Sequence, residues 1–165
     1  MRQSVSFDDL SDDEMLGALQ KEAFDYFLHE SNRKTGLVRD RSRSGCPASI
    51  AATGLALAAY PTGVERAFLK REAAAERTVT TLRFFRDSRQ GTEADATGYK
   101  GFYYHFLDMQ TGRRAWKCEL STIDTTYLLA SALAAAGYFD GDDPLEREIR
   151  ECADALYRRA DWQWS

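Results

Sequence analysis

Ser121-Thr122-Ile123-Asp124-Thr125-Thr126-Tyr127-Leu128-Leu129-Ala130-Ser131-Ala132-Leu133-Ala134-Ala135-Ala136-Gly137-Tyr138 carries a single formal charge, near its front. Ser121 followed by Asp124 is a helix-start signal, so the stretch predicts a helix over residues 122–138 that is buried on every side. Residues 48–60 read the same way. There Ile50, Ala51, Ala52, Leu55, Ala56, Leu57, Ala58 and Ala59 leave Thr53 as almost the only polar residue. A helix that is apolar all round needs neighbours all round.

Three further helices have two faces. Ser11-x-x-Glu14 is a capping box, and behind it Leu16, Leu19, Ala23, Tyr26 and Phe27 share one side. Between Glu72 and Asp87, Ala75, Val79, Leu82 and Phe85 recur at helical spacing. Pro144 opens a last helix whose Leu145, Ile149, Cys152, Ala153 and Leu156 form a stripe among charges. Amphipathic helices alternating with all-apolar ones suit an α/α toroid, in which inner helices touch each other and an outer layer faces water. Five helices are under half of such a ring. A plain bundle or a helix-pair solenoid stays open, although no fixed period of about 34 residues is visible.

The texture changes between the third and fourth helices. Phe102, Tyr104 and Phe106 alternate with Tyr103, His105 and Leu107, a turn signal follows at Asp108-Met109-Gln110-Thr111-Gly112, and residues 114–118 come next. This predicts one β-hairpin inserted in a mainly α fold, entered through a loop over residues 89–101.

With 44% hydrophobic and 29% charged residues, the 165-residue chain has the balance of a single globular domain over residues 1–165, which argues against disorder. Acidic residues outnumber basic ones, 26 to 22, and no basic stripe is present, which argues against nucleic acid. Cys46, Cys118 and Cys152 are widely spaced and only His29 and His105 accompany them, so neither a metal nor another cofactor is expected. Met1-Arg2-Gln3 leads into the acidic stretch of residues 8–14 rather than an apolar signal, and the apolar run of residues 127–139 is too short to cross a bilayer. No membrane partner is expected; the compartment stays open, since a periplasmic or secreted parent would read alike.

Each all-apolar helix is preceded by a polar segment: Asp40-Arg41-Ser42 before one, Glu119 to Asp124 before the other. Helices pointing the same way in a ring would bring both segments to one rim. The partial positive charge and unpaired N–H groups of a helix N-terminus keep a nearby carboxylate ionised, so Glu119 is either a base or charge-stabilising group or an ordinary exposed loop residue. Asp124 is either a catalytic carboxylate or part of the cap. Asp40 and Arg41 are either sugar contacts or a surface ion pair. Trp116, in a polar neighbourhood, offers a flat platform for the apolar face of a sugar ring. Tyr104 is a second platform candidate or a core residue. His105 has no Ser or Cys nucleophile motif beside it, so it reads as a structural or substrate-contacting imidazole. Asp108 reads as a turn former.

Gly36-Leu37-Val38-Arg39-Asp40-Arg41-Ser42, Ala52-Thr53-Gly54, Gly101-Phe102-Tyr103-Tyr104-His105-Phe106-Leu107-Asp108, Glu119-Leu120-Ser121-Thr122-Ile123-Asp124-Thr125 and Tyr138-Phe139-Asp140-Gly141 resemble, in order, the first part of the glucoamylase-like family of bacterial glycoside hydrolases. That family includes endo-β-1,2-glucanases and the related domain of cyclic β-1,2-glucan synthases. The resemblance implies an (α/α)6 toroid, hydrolysis of a β-glucan in a funnel at one end of the ring, and functional weight on Glu119 to Asp124 and on Asp40 to Ser42. A twelve-helix ring is about two to three times this length. The chain is therefore expected to be the N-terminal part of a larger toroid, weakly active or inactive alone, and able to self-associate through exposed apolar helix faces. The alternative is a non-catalytic glycan-binding or assembly module completed by a partner chain.

Overall fold

A computed structural model describes residues 10–164 of the chain. Met1-Arg2-Gln3 and the beginning of the acidic stretch lie outside the described residues.

Among the described residues five helices form: α1 (Asp12–His29), α2 (Ile50–Glu65), α3 (Arg71–Asp87), α4 (Thr122–Tyr138) and α5 (Pro144–Arg159). The expected capping box starts α1, with the Glu14 N–H donating to Ser11 Oγ and the Ser11 N–H to Glu14 Oε2. Asp143 caps α5 ahead of Pro144, whose missing N–H costs nothing in the first turn. Helix α2 runs past the expected stop at Tyr60 and through Pro61. Its last turn is held from outside, since the Phe24 ring of α1 lies where a side chain on Gly63 would be.

Helices α2 and α4 pack side by side, and the backbone of Leu128 fills the space a Cβ on Gly54 would need, at 2.8 Å. Helices α3 and α5 pack together as the outer layer, with α3 against α2 and α5 against α4. The core between the layers is apolar, with Leu57, Tyr60, Leu82, Phe85, Leu128, Leu129, Ile149 and Leu156 buried. The molecule is mainly helical and carries part of an (α/α)6 toroid. Burial on every side does not extend to the whole of the inner pair. Leu55 on α2 and Ile123, Tyr127 and Leu133 on α4 are exposed, because no element among the described residues covers those faces.

Five short strands gather where α2 and α4 begin: β1 (Ala48–Ser49), β2 (Gly98–Tyr99), β3 (Phe102–Tyr104), β4 (Phe106–Leu107) and β5 (Leu120–Ser121). They form a two-stranded sheet, β1-β4, and a three-stranded sheet, β2-β3-β5, all antiparallel. The expected hairpin closes through the turn Asp108–Gly112, where the Asp108 N–H donates to Arg113 O at 2.8 Å, but its return arm pairs only at the bridge Leu107–Arg114. The chain divides between two sheets at His105, so the alternation from 102 to 107 does not mark one continuous strand. Phe102, Tyr103 and Leu107 are buried, whereas Tyr104, His105 and Phe106 are half-buried.

Candidate functional site

The two inner helices start in the same way. Ser49 caps α2, and Thr53 Oγ1 donates to Ser49 O at 2.8 Å while accepting from the Val38 N–H at 3.0 Å. Ser121 caps α4, and Thr125 Oγ1 donates to Ser121 O at 2.6 Å while accepting from the Tyr103 N–H at 2.9 Å. In each case a Ser-x-x-x-Thr helix start clasps a preceding extended segment. The two starts are then tied to one residue: the Ile50 N–H donates to His105 O at 3.1 Å, and the His105 N–H donates to Glu119 O at 3.1 Å. Both helix N-termini, and the polar segments before them, therefore meet at one rim.

His105 stands at this junction with a carboxylate on each ring nitrogen. Nδ1 lies 2.7 Å from Glu119 Oε1, and Nε2 lies 3.5 Å from Asp124 Oδ2. The imidazole can donate to both only when both nitrogens carry protons. Its ring stacks on Phe106, with centroids 3.9 Å apart. Glu119 is 65% exposed and Asp124 16%. The Glu119 carboxyl is held below its usual range by a hydrogen bond from its own backbone N–H and then by His105. The direction matches the expectation from sequence, but local hydrogen bonds set it rather than the helix end. Asp124 also provides the backbone N–H that Ser121 Oγ accepts, at 3.1 Å, so it takes part in the cap while its carboxylate faces His105.

One ligand atom each from His105, Glu119 and Asp124 falls within 4.8 Å of the others, compact enough to surround a cation. This geometry also limits what the two carboxylates can do. A retaining glycosidase sets its pair about 5 to 5.5 Å apart across the sugar and an inverting one about 6.5 to 9.5 Å. Glu119 and Asp124 converge on one imidazole rather than facing each other across a gap.

The remaining candidates lie around this centre. Asp40 Oδ2 pairs with Arg41 Nε at 2.9 Å, with Arg41 largely exposed and Asp40 half-buried. The Asp40 N–H donates to Pro47 O in the strap leading into α2, the counterpart of the His105 to Glu119 bond before α4. Tyr104 carries the Arg114 guanidinium over its ring at 4.3 Å, so one face of the phenol is already covered. Trp116 is 66% exposed. It and Lys117 both have left-handed backbone, at φ 56° and 52°, an uncommon state for residues with side chains. Its ring touches Phe106 at 5.2 Å. Two participants were not read from the sequence. Phe106 bridges His105 and Trp116, and Arg114 holds the Trp116 loop by donating to Lys117 O and Cys118 O. The Ser-x-x-x-Thr pattern shared by positions 49–53 and 121–125 was the legible sign that the two helix starts are equivalent.

No family model matches the chain. A curated relative, the exo β-1,2-glucooligosaccharide sophorohydrolase (non-reducing end) of Parabacteroides distasonis, is 25% identical over 162 residues, which make up 94% of this chain and 21% of the relative. A glucoamylase-like protein of Bacteroides uniformis superposes with a TM-score of 0.83 at 32% identity, over 94% of this chain and 38% of its own. The β-1,2-glucanase from Parabacteroides distasonis gives 0.83 at 24% identity, over 94% of this chain and 22% of its own. The endo-β-1,2-glucanase from Chitinophaga pinensis, solved with sophorotriose and glucose, gives 0.81 at 18% identity, over 94% and 38%. These last two likenesses show the fold. The chain spans about a fifth of the curated relative's length and about two fifths of the Bacteroides chain's. Over nearly its whole length it resembles the glucoamylase-like family of glycoside hydrolases and shares part of their (α/α)6 toroid.

Proposed function

We propose that this chain is a sector of a glycoside hydrolase acting on a β-glucan, with β-1,2-linked glucose as the substrate class, and that the rest of the ring packs against the exposed faces of α2 and α4. The convergence of His105, Glu119 and Asp124 where the two inner helices begin carries the reading. An ionised Glu119 suits a base toward water or a stabiliser of positive charge on the sugar, rather than a proton donor. Asp124 is the second carboxylate, and His105 fixes the orientation of both. Asp40, Arg41, Tyr104 and Trp116 contact sugar hydroxyls and ring faces. The opposing carboxyl group comes from outside these residues, and the chain alone has little or no turnover.

Titration of the purified chain with β-1,2-linked gluco-oligosaccharides, followed by amide NMR and by reducing-end release, tests this. We expect weak binding centred on residues 105 and 119–124, at least roughly tenfold weaker in Glu119→Gln, with no sugar released. Release by the wild type that Glu119→Gln abolishes would overturn the inactivity and keep the site. Absence of binding, or binding elsewhere, would remove the proposal.

A further inference from the structure

Away from the rim, the C-terminal half of α3, the loop after α1, the loop before β2 and the turn after β4 enclose a cleft of about 570 Å³. None of the residues assigned to the glycan site lines it. Its volume is that of a small-molecule site. Its charge is opposite to that of the chain as a whole, which is −4: Arg33, Lys34, Arg83, Arg89 and Arg113 line it, against Asp87 and Asp95.

We propose that this cleft binds a small phosphate monoester that carries hydroxyl groups, a sugar phosphate in chemical class, with Arg33 and Lys34 holding the phosphate. Most of the charges already answer one another. Arg83 pairs with Glu148 at 2.6 Å, Arg89 with Glu93 at 2.5 Å, Arg113 with Asp95 at 2.7 Å, and Asp87 with Arg86 at 2.7 Å. Among the described residues the side chains of Arg33 and Lys34 have no hydrogen-bond or ion-pair partner. Two adjacent unanswered cations match the dianion that a phosphate monoester becomes above its second ionisation, near pH 6.

The loop that carries them is fixed in place. The Asn32 N–H donates to Leu37 O at 2.8 Å, Asn32 Nδ2 donates to Met109 O at 2.7 Å, and Asn32 Oδ1 accepts from the Lys34 N–H at 2.8 Å. The carbonyls that end α3 would repel an anion, but Arg159 donates to Phe85 O and Arg86 O at 2.7 Å each. The hydroxyl groups of the cleft then select the rest of the ligand. Thr80 donates to Glu76 O, Ser88 to Phe85 O and Thr111 to Asp108 Oδ1. Each has spent its one proton and offers a ligand only lone pairs, which accept from O–H groups and not from phosphate oxygens. Cations for the anionic end and acceptors for the hydroxyl end describe one molecule with both.

The test is titration of the chain, at low ionic strength, with glucose 6-phosphate, inorganic phosphate, gluconate and glucose, followed by calorimetry and amide NMR. Glucose 6-phosphate should bind more tightly than the other three and shift the amides of residues 33–34 and 111–113. Arg33→Gln with Lys34→Gln should weaken it at least about tenfold, whereas Lys70→Gln, which removes an exposed cation at the opposite end of α3, should not. Thr80→Val should weaken glucose 6-phosphate and leave inorganic phosphate unchanged. Lowering the pH from about 7.5 to about 5 should weaken it as well, because the phosphate loses half its charge. Equal affinity in the wild type and the Arg33, Lys34 double variant, or amides 33–34 that never move, would overturn the site. Gluconate binding as tightly would overturn phosphate as the class, and inorganic phosphate binding as tightly would overturn the hydroxyl part. Glu119→Gln should leave glucose 6-phosphate affinity unchanged, so failure of this site and failure of the glycan reading are told apart.

Discussion

Glu119 gains two hydrogen bonds to its ionised form, first from its own backbone N–H and then from His105, and both favour the carboxylate over the acid. The sign follows. A lowered carboxyl contributes stability above its unfolded-state value, and that contribution is lost as pH falls through the lowered folded value. The expected side-chain carbon titration of Glu119 therefore has its midpoint below the roughly 4.3 of a free glutamate. In His105→Ala the midpoint should rise toward that value without reaching it, since the backbone donor remains. A wild-type midpoint at or above the free value would show that His105 and Glu119 do not associate in solution. Residue identity here sets the chemistry only through position: Asp40 occupies the place before α2 that His105 occupies before α4, yet its partner is the adjacent, exposed Arg41.

At the level of elements, each inner helix is joined to the strand or strap before it by one threonine. Thr125 is buried and accepts the N–H of Tyr103, a residue that is itself buried and whose hydroxyl donates to Phe85 O at 2.9 Å. Burial pushes the Tyr103 hydroxyl up to about 12, so it remains a donor throughout the neutral range. Thr125→Val keeps the shape but leaves a buried N–H without an acceptor, which costs about 1 to 3 kcal/mol. Thr126→Val, one position on and exposed, should change stability by no more than about 0.5 kcal/mol. Urea unfolding of the two variants compares them directly, and equal midpoints would mean that the clasp is not what joins β3 to α4. Loosening it should also broaden the amide signals of residues 103–105, because His105 directly follows β3.

The whole molecule presents an apolar strip along α4. Ile123 is 69% exposed, and Tyr127 and Leu133 on the same helix and Leu55 on α2 are exposed as well. Area of this kind is stabilised by contact with another apolar surface. The chain should therefore self-associate as its concentration rises, and Ile123→Lys with Leu133→Lys should shift it toward monomer in sedimentation velocity without lowering the unfolding midpoint. A wild type that stays monomeric at high concentration would show that the strip is tolerated in water. Net charge of −4 is too small to oppose association strongly. Among the described residues no helix is long and apolar enough to cross a membrane.

Local pattern determined the helices: Ser11, Ser121 and Pro144 each open one where a cap or a fixed φ favours it, and the contrast between two-faced and all-apolar stretches separated the outer layer from the inner pair. Residues 119–124 and 40–42 could be singled out because both precede all-apolar helices. Only the tertiary structure decided that these segments share a rim, since the two bonds meeting at His105 join residues far apart in the chain. It alone placed both nitrogens of that ring against carboxylates, divided residues 102–107 between two sheets, and left one flank of α4 open. Helix periodicity is a property of neighbours along the chain, whereas ring stacking, an imidazole set between two carboxylates and an uncovered face depend on what packing brings together across it.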